Sequence, residues 1–191
     1  MIFDLKGKVA VVCGGTGGIG LAAAQALASA GASVVVVARN EEKLAAVVAA
    51  LPGQGAHLWL QADFAHPAQV QEVVTDFATT SRAHILVNNT GGPPPGKASE
   101  ADVESFRIAF NNHLICNHIM ATALIPGMKA EGYGRIINVI STSVKQPLPN
   151  LGVSNTIRAA VANWAKTLAN ELAADGITVN NVLPGATETG R

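Results

Sequence analysis

Short, almost unbroken apolar runs alternate along the whole chain with longer segments of helical periodicity. The short runs are Lys8–Cys13, Ser33–Ala38, His57–Gln61, Ile85–Asn88, Arg135–Ile140 and Ile177–Val182. They are rich in valine and isoleucine and lack the alternation of a half-exposed sheet, which predicts strands covered on both faces. The longer segments are Ile19–Ala30, Glu41–Leu51, Pro67–Thr80, Ala101–Lys129 and Gly152–Ala174, and they predict helices. Strict alternation of the two predicts an α/β fold. It is a Rossmann-type doubly wound parallel sheet with right-handed crossovers, in three layers, α/β/α. There is no internal repeat, so residues 1–191 read as a single domain. One biased segment, Gly91-Gly92-Pro93-Pro94-Pro95-Gly96, is a stiff loop after the fourth strand.

Composition sharpens this picture. Hydrophobic residues make up 49% of the chain and charged ones 14%, as suits buried parallel strands. The formal net charge is zero and no basic stripe occurs, which argues against a nucleic-acid partner. No apolar run is long enough to span a bilayer, so no membrane segment is expected. Cys13 and Cys116 are far apart in sequence and fit neither a disulfide framework nor a metal site. A reducing, cytoplasmic location is expected.

The first strand runs into Gly14-Gly15-Thr16-Gly17-Gly18-Ile19-Gly20, and a helical pattern begins at once. A glycine turn of this kind lets backbone N–H groups and the positive end of a helix face an anion such as a pyrophosphate. The same glycines would also serve a tight strand–helix turn alone. After the second strand, Ala38 stands where dinucleotide folds place an acidic residue for a ribose 2′-hydroxyl, and Arg39 follows it. Arginine accommodates a 2′-phosphate, which favours NADP(H) over NAD(H). In such sheets ligands bind outside the carboxyl ends of the strands, so motifs distant in sequence can meet there.

Several motifs together resemble the short-chain dehydrogenase/reductase family. Cys13-Gly14-Gly15-Thr16-Gly17-Gly18-Ile19-Gly20 is similar to its Thr-Gly-x-x-x-Gly-x-Gly fingerprint. Asn88-Asn89-Thr90-Gly91 resembles its Asn-Asn-Ala-Gly. Asn138-Val139-Ile140-Ser141 resembles the strand that delivers its catalytic serine, and Pro184-Gly185 resembles its Pro-Gly motif. The resemblance implies hydride transfer between a nicotinamide cofactor and a small carbonyl or alcohol, with 3-oxoacyl thioesters among the substrate classes. It implies cofactor contacts from Gly14, Thr16, Gly17, Gly18, Ile19, Gly20, Arg39, Asp63, Phe64, Asn89, Gly91, Pro184, Gly185, Thr187 and Thr189. For Asp63 a turn or N-cap role is the alternative. Asn88 and Asn89 could instead satisfy backbone groups at the strand end. Many NADP-dependent relatives carry a second basic residue in the glycine loop, where Gly17 stands here. Helices 101–129 and 152–174 pair subunits in many relatives, so a homodimer or homotetramer is expected, with Trp164 and Leu168 as core or interface residues. Relatives also continue past Pro-Gly into a lid and a last strand, which this chain is expected to lack.

The family's catalytic set is Ser, Tyr and Lys, and here the resemblance departs. Arg158-Ala159-Ala160-Val161 is similar to the Lys-Ala-Ala-Val that carries the lysine. Counting back four residues puts the tyrosine position at Ser154, and thirteen more puts the serine at Ser141. The expected catalytic set is therefore Ser141, Ser154 and Arg158. The lone tyrosine, Tyr133, precedes the fifth strand, away from the expected cleft. Ser143, Lys145 and His113 are alternative proton sources, His113 standing where many relatives have a water-ordering asparagine. A nucleotide-binding, non-catalytic homologue is the alternative function.

Overall fold

A computed structural model describes residues 4–188. Six parallel strands form one sheet. They are β1 (Val9–Cys13), β2 (Ser33–Ala38), β3 (Leu58–Gln61), β4 (Ile85–Asn88), β5 (Gly134–Val139) and β6 (Ile177–Val182), in spatial order β3-β2-β1-β4-β5-β6. The helices are α1 (Gly18–Ser29), α2 (Glu41–Ala50), α3 (Pro67–Thr80), α4 (Val103–Phe110), α5 (Cys116–Ala130) and α6 (Gly152–Leu172). This is the expected doubly wound sheet, with strand ends differing from expectation by a residue.

Successive strand residues enter opposite cores. Ala10, Val12, Val34, Val36, Ile85 and Val87 pack with Ala24 and Ala28 of α1 and Leu44 of α2. Val11, Cys13, Val35, Val37 and Leu86 pack with residues of α3, α5 and α6 on the other face. Side chains alternate sides along a strand, so a continuous apolar run is what two covered faces require. Trp164 is half-buried against the second core and meets the His118 ring edge-on at 6.2 Å, and Leu168 is buried beside it. Both therefore join α6 to the layer that contains α5.

The segment expected as one helix, 101–129, starts at Val103, where Asp102 caps it by accepting from Ser105 N (2.7 Å). It is then interrupted by a π-helical stretch, Asn111–Ile115, before α5. A π turn inserts a residue and rotates the helix beyond it. Hydrophobic periodicity does not report it, because apolar residues flank both sides.

Candidate active site

The chain reverses direction across the sheet between β1 and β4, so the segments leaving their carboxyl ends diverge there. After β1 it turns through Gly14, which has a left-handed φ of +60°. A Cβ on Gly14 would lie 2.5 Å from the Asn89 carbonyl oxygen. One on Gly20 would overlap the Gly14 carbonyl and approach Asn89 Nδ2 to 2.6 Å. The turn, the start of α1 and the end of β4 thus fit together only without those side chains. Gly17 differs. The space beside it is open, and as N-cap of α1 it supplies no side-chain cap; the first turn holds no acidic residue. Uncapped first-turn N–H groups on an open cradle suit an anionic pyrophosphate.

Most of the residues singled out in sequence meet in two adjoining clefts. The first, of about 530 Å³, is bordered by Gly14, Gly17, Gly18, Ile19, Asn89, Gly91, Ser141, Ser154, Arg158, Pro184, Gly185 and Thr187. The second, of about 430 Å³, includes Thr16, Arg39, Asp63 and Phe64, again with Gly14 and Gly91. Gly20 is buried under the turn. Thr189 lies outside the described residues.

Ser141 follows β5 by two residues, at the start of a 3-10 turn, and borders the first cleft. Its Oγ accepts from Ser143 N (3.1 Å), so its own O–H remains to donate. Ser154 and Arg158 lie one turn apart on α6 and reach the same cleft. The Arg158 guanidinium is buried and donates from Nη1 to the Val139 carbonyl (3.0 Å), which moors it beside the end of β5.

In the second cleft, Arg39 is exposed, and Lys43 one turn into α2 lines the same space, a second cation that the sequence did not reveal. Asp63 Oδ1 accepts from Ala65 N (3.0 Å), the turn role left open above, while the residue still borders the cleft. The N-cap position of the helix that comes next is His66, whose side chain makes no capping hydrogen bond, and Asp63 lies three residues before it. Asn89 does hold backbone: its Nδ2 donates to the carbonyls of Cys13 (3.3 Å) and Gly14 (3.4 Å). Asn88 does not; its amide donates to Asn138 (2.9 Å), whose own amide donates to Asn181 (3.1 Å).

Three further residues tie the π-helical stretch to this region. Thr90 borders both clefts, and its hydroxyl lies 2.7 Å from His113 Nδ1. His113 is 2% exposed and lines a third cavity, of about 550 Å³, behind the Gly91–Pro93 wall. With its amide oriented to satisfy its neighbours, Asn112 donates to the carbonyls of Phe64 (2.8 Å) and Ile108 (3.3 Å). No local pattern marks this link in the sequence, because Thr90 and His113 lie 23 residues apart and meet only through the π-helical stretch.

Two expected proton sources lie elsewhere. The 3-10 turn Thr142–Val144 carries Lys145 into an outer groove beside Asn163 and Lys166, away from Ser141. The same turn buries Ser143, whose Oγ has no hydrogen-bond partner among the described residues. Tyr133 sits at the amino end of β5, the edge opposite the clefts. Its ring lies between Lys8 Nζ (4.3 Å) and the Arg135 guanidinium (4.2 Å).

The sheet order, the glycine cradle and the clefts at the strand switch define a Rossmann-type α/β domain. The family model for short chain dehydrogenase matches residues 8–191, and the chain belongs to that family. Among its relatives is a Streptomyces violaceoruber protein named as ketoacyl reductase 1 of the granaticin polyketide synthase. It is 38% identical over 187 residues, covering 95% of this chain and 68% of the relative. Dehydrogenase/reductase SDR family member 4 of Sus scrofa is 34% identical, covering 97% of this chain and 67% of that protein. L-Sorbose reductase from Gluconobacter frateurii, solved with NADPH and L-sorbose, superposes with a TM-score of 0.94 at 35% identity. That match covers 100% of this chain and 73% of the reductase. Among the described residues no helix is long and apolar enough to cross a membrane.

Proposed function

We propose that this chain is an NADP(H)-dependent oxidoreductase that interconverts a small carbonyl compound and its alcohol. The observation that carries the reading is the convergence of Ser141, Ser154 and Arg158 on the cleft that begins at the glycine turn. The uncapped start of α1 at Gly17–Ile19 would hold the pyrophosphate. Asp63, Phe64, Asn89 and Gly91 would flank the adenosine, and Pro184, Gly185, Thr187 and Thr189 the nicotinamide side. Arg39 and Lys43 favour a 2′-phosphate, since Asp63 is the one acidic residue lining the second cleft among those described. When bound, the nicotinamide supplies the hydride. Ser141 donates its O–H to the carbonyl oxygen, Ser154 orients the same oxygen or a water, and Arg158 stabilises developing negative charge from a fixed position. Substrates are small polar ketones or 3-oxoacyl thioesters, as the names of relatives and neighbours support.

A second reading has its own support. Among the described residues no phenol or ammonium group borders the first cleft, so the domain could bind the nucleotide without turnover, as a sensor or partner subunit. The free, buried cysteines support a reducing, cytoplasmic location. Long helices α5 and α6 support a homodimer or homotetramer, which light scattering at micromolar concentration checks. The deciding experiment is fluorescence titration with NADPH and NADH, then NADPH oxidation with L-sorbose, ethyl acetoacetate and acetoacetyl thioesters. Binding with turnover upholds the oxidoreductase; binding without turnover on any of them selects the second reading. No binding of either nucleotide overturns both.

A further inference from the structure

The described residues bordering the first cleft comprise serines, threonines, an asparagine, glycines, prolines, aliphatic side chains and Arg158. None of these titrates near neutral pH, since a guanidinium keeps its proton and a serine hydroxyl does not ionise. Yet the reaction proposed above must deliver a proton to an alkoxide or remove one from an alcohol. One hydrogen bond away from the cleft wall stands an imidazole, the side chain whose ordinary pKa lies nearest neutral. Thr90 borders the cleft, and its Oγ1 is 2.7 Å from Nδ1 of the buried His113.

We propose that His113 is the proton store of this cleft, exchanging its proton with the cleft through the Thr90 hydroxyl. The inference rests on the oxidoreductase reading and supplies the proton source that reading lacks. In the reducing direction the cleft takes the Thr90 hydroxyl proton. The imidazolium Nδ1–H bond breaks as that proton passes to the Thr90 oxygen, and a neutral imidazole remains. Between turnovers Nδ1, the nitrogen left bare, regains its proton by the same route, from water in the open cleft through the Thr90 hydroxyl. The oxidising direction runs the same transfers backwards. A hydroxyl both donates and accepts, so Thr90 can pass a proton without becoming ionised. His113 acts only through Thr90 and is a positioning residue in that sense.

The π-helical stretch makes the contact. It sits between α4 and α5 and packs against α3 and α6, with His113 at its centre. Charged and titratable groups on these elements are few and mostly peripheral. α6 contributes the buried Arg158, and α5 the buried Cys116. α4 carries the exposed Glu104–Arg107 pair, and the cavity rim carries the Lys97–Glu100 pair. The residues of α3 buried in this core, Val70, Val74 and Phe77, are apolar, and Glu72 and Asp76 are exposed.

The test needs no cofactor in its first arm. Imidazole 15N shifts of His113 and, as control, exposed His118 are recorded from pH 5 to 9 in wild type, Thr90→Val and Thr90→Ser. His113 is expected to titrate in this range, with its midpoint moved by Thr90→Val and restored by Thr90→Ser, and His118 unaffected. A His113 that never titrates, or whose titration ignores Thr90→Val, overturns the proposal. The second arm is the pH profile of kcat/KM for ethyl acetoacetate reduction. Thr90→Val is expected to lose about 10²-fold and flatten the profile, Thr90→Ser to keep both. An unchanged profile in Thr90→Val overturns the relay while leaving the oxidoreductase intact. A coupled titration with no wild-type turnover on any of the three substrates overturns the oxidoreductase reading and with it the proton store.

Discussion

The side-chain amide of Asn89 lies 3.4 Å from the carbonyl oxygen of Gly14, and a Cβ on Gly14 would stand 2.5 Å from the Asn89 carbonyl. The two residues close the strand switch at its tightest point, and everything bound there must sit on what they hold. Gly20 completes the contact. Gly20→Ala would force its methyl into Gly14 and Asn89, so it should cost about 1–3 kcal/mol of stability, as overpacked sites do. Gly17→Ala faces open space and should cost at most about 1 kcal/mol, as a poorer N-cap, while weakening NADPH binding. Equal destabilisation by the two substitutions would refute this assignment of the cradle.

Nucleotide preference should reside in the second cleft. Arg39→Asp removes a cation and adds a charge that repels a phosphate. NADPH affinity should fall roughly tenfold to a hundredfold, the value of about 1.5–3 kcal/mol for a charged hydrogen bond. NADH affinity should hold or improve, and Lys43→Ala should show a smaller loss. Isothermal titration with both nucleotides checks this, and a parallel loss of both would move the discrimination elsewhere.

Acid sensitivity should trace in part to His84. Its Nδ1 accepts the Val9 N–H (3.0 Å), a role open only to the neutral ring. Burial, aided by the nearby Lys8, holds its pKa below the usual histidine value. The unfolded chain therefore takes up a proton as pH falls through about 6.5, before the folded one does, and stability is lost progressively below that pH. Above it the contribution is complete. Urea unfolding of wild type and His84→Phe should differ by about 1–3 kcal/mol at pH 7.5, the cost of an unsatisfied buried amide. The gap should shrink towards pH 5, and a gap independent of pH would exclude this source.

Both thiols should be inert in the folded protein. Burial, with Asp63 adding, pushes Cys116 up to about 12, and burial pushes Cys13 up too, with Cys116 adding. The Cys116 thiol also donates to the Phe64 carbonyl (3.3 Å). The thiolate is the reactive form, so a chromogenic disulfide reagent at pH 8 should label neither until urea unfolds the chain. Labelling of native protein within minutes would contradict this.

The sheet, its covering helices and the glycine turn were already dictated by the order of residues. Runs such as Val9–Cys13 and Ser33–Ala38 can be satisfied only by burial on both faces, and Gly14 and Gly20 mark where backbone must meet backbone. These are local demands, readable from spacing. The meeting of Ser141, Ser154 and Arg158 was legible only through the resemblance, because residues from β5 and α6 carry no local sign of sharing a cleft. Packing between distant segments settled the rest. The turn after Ser141 carried Lys145 outward, and the π-helical break turned His113 inward to Thr90. Which way a side chain faces after a rotated helix or a 3-10 turn depends on what packs against it, and that partner lies far away in the chain.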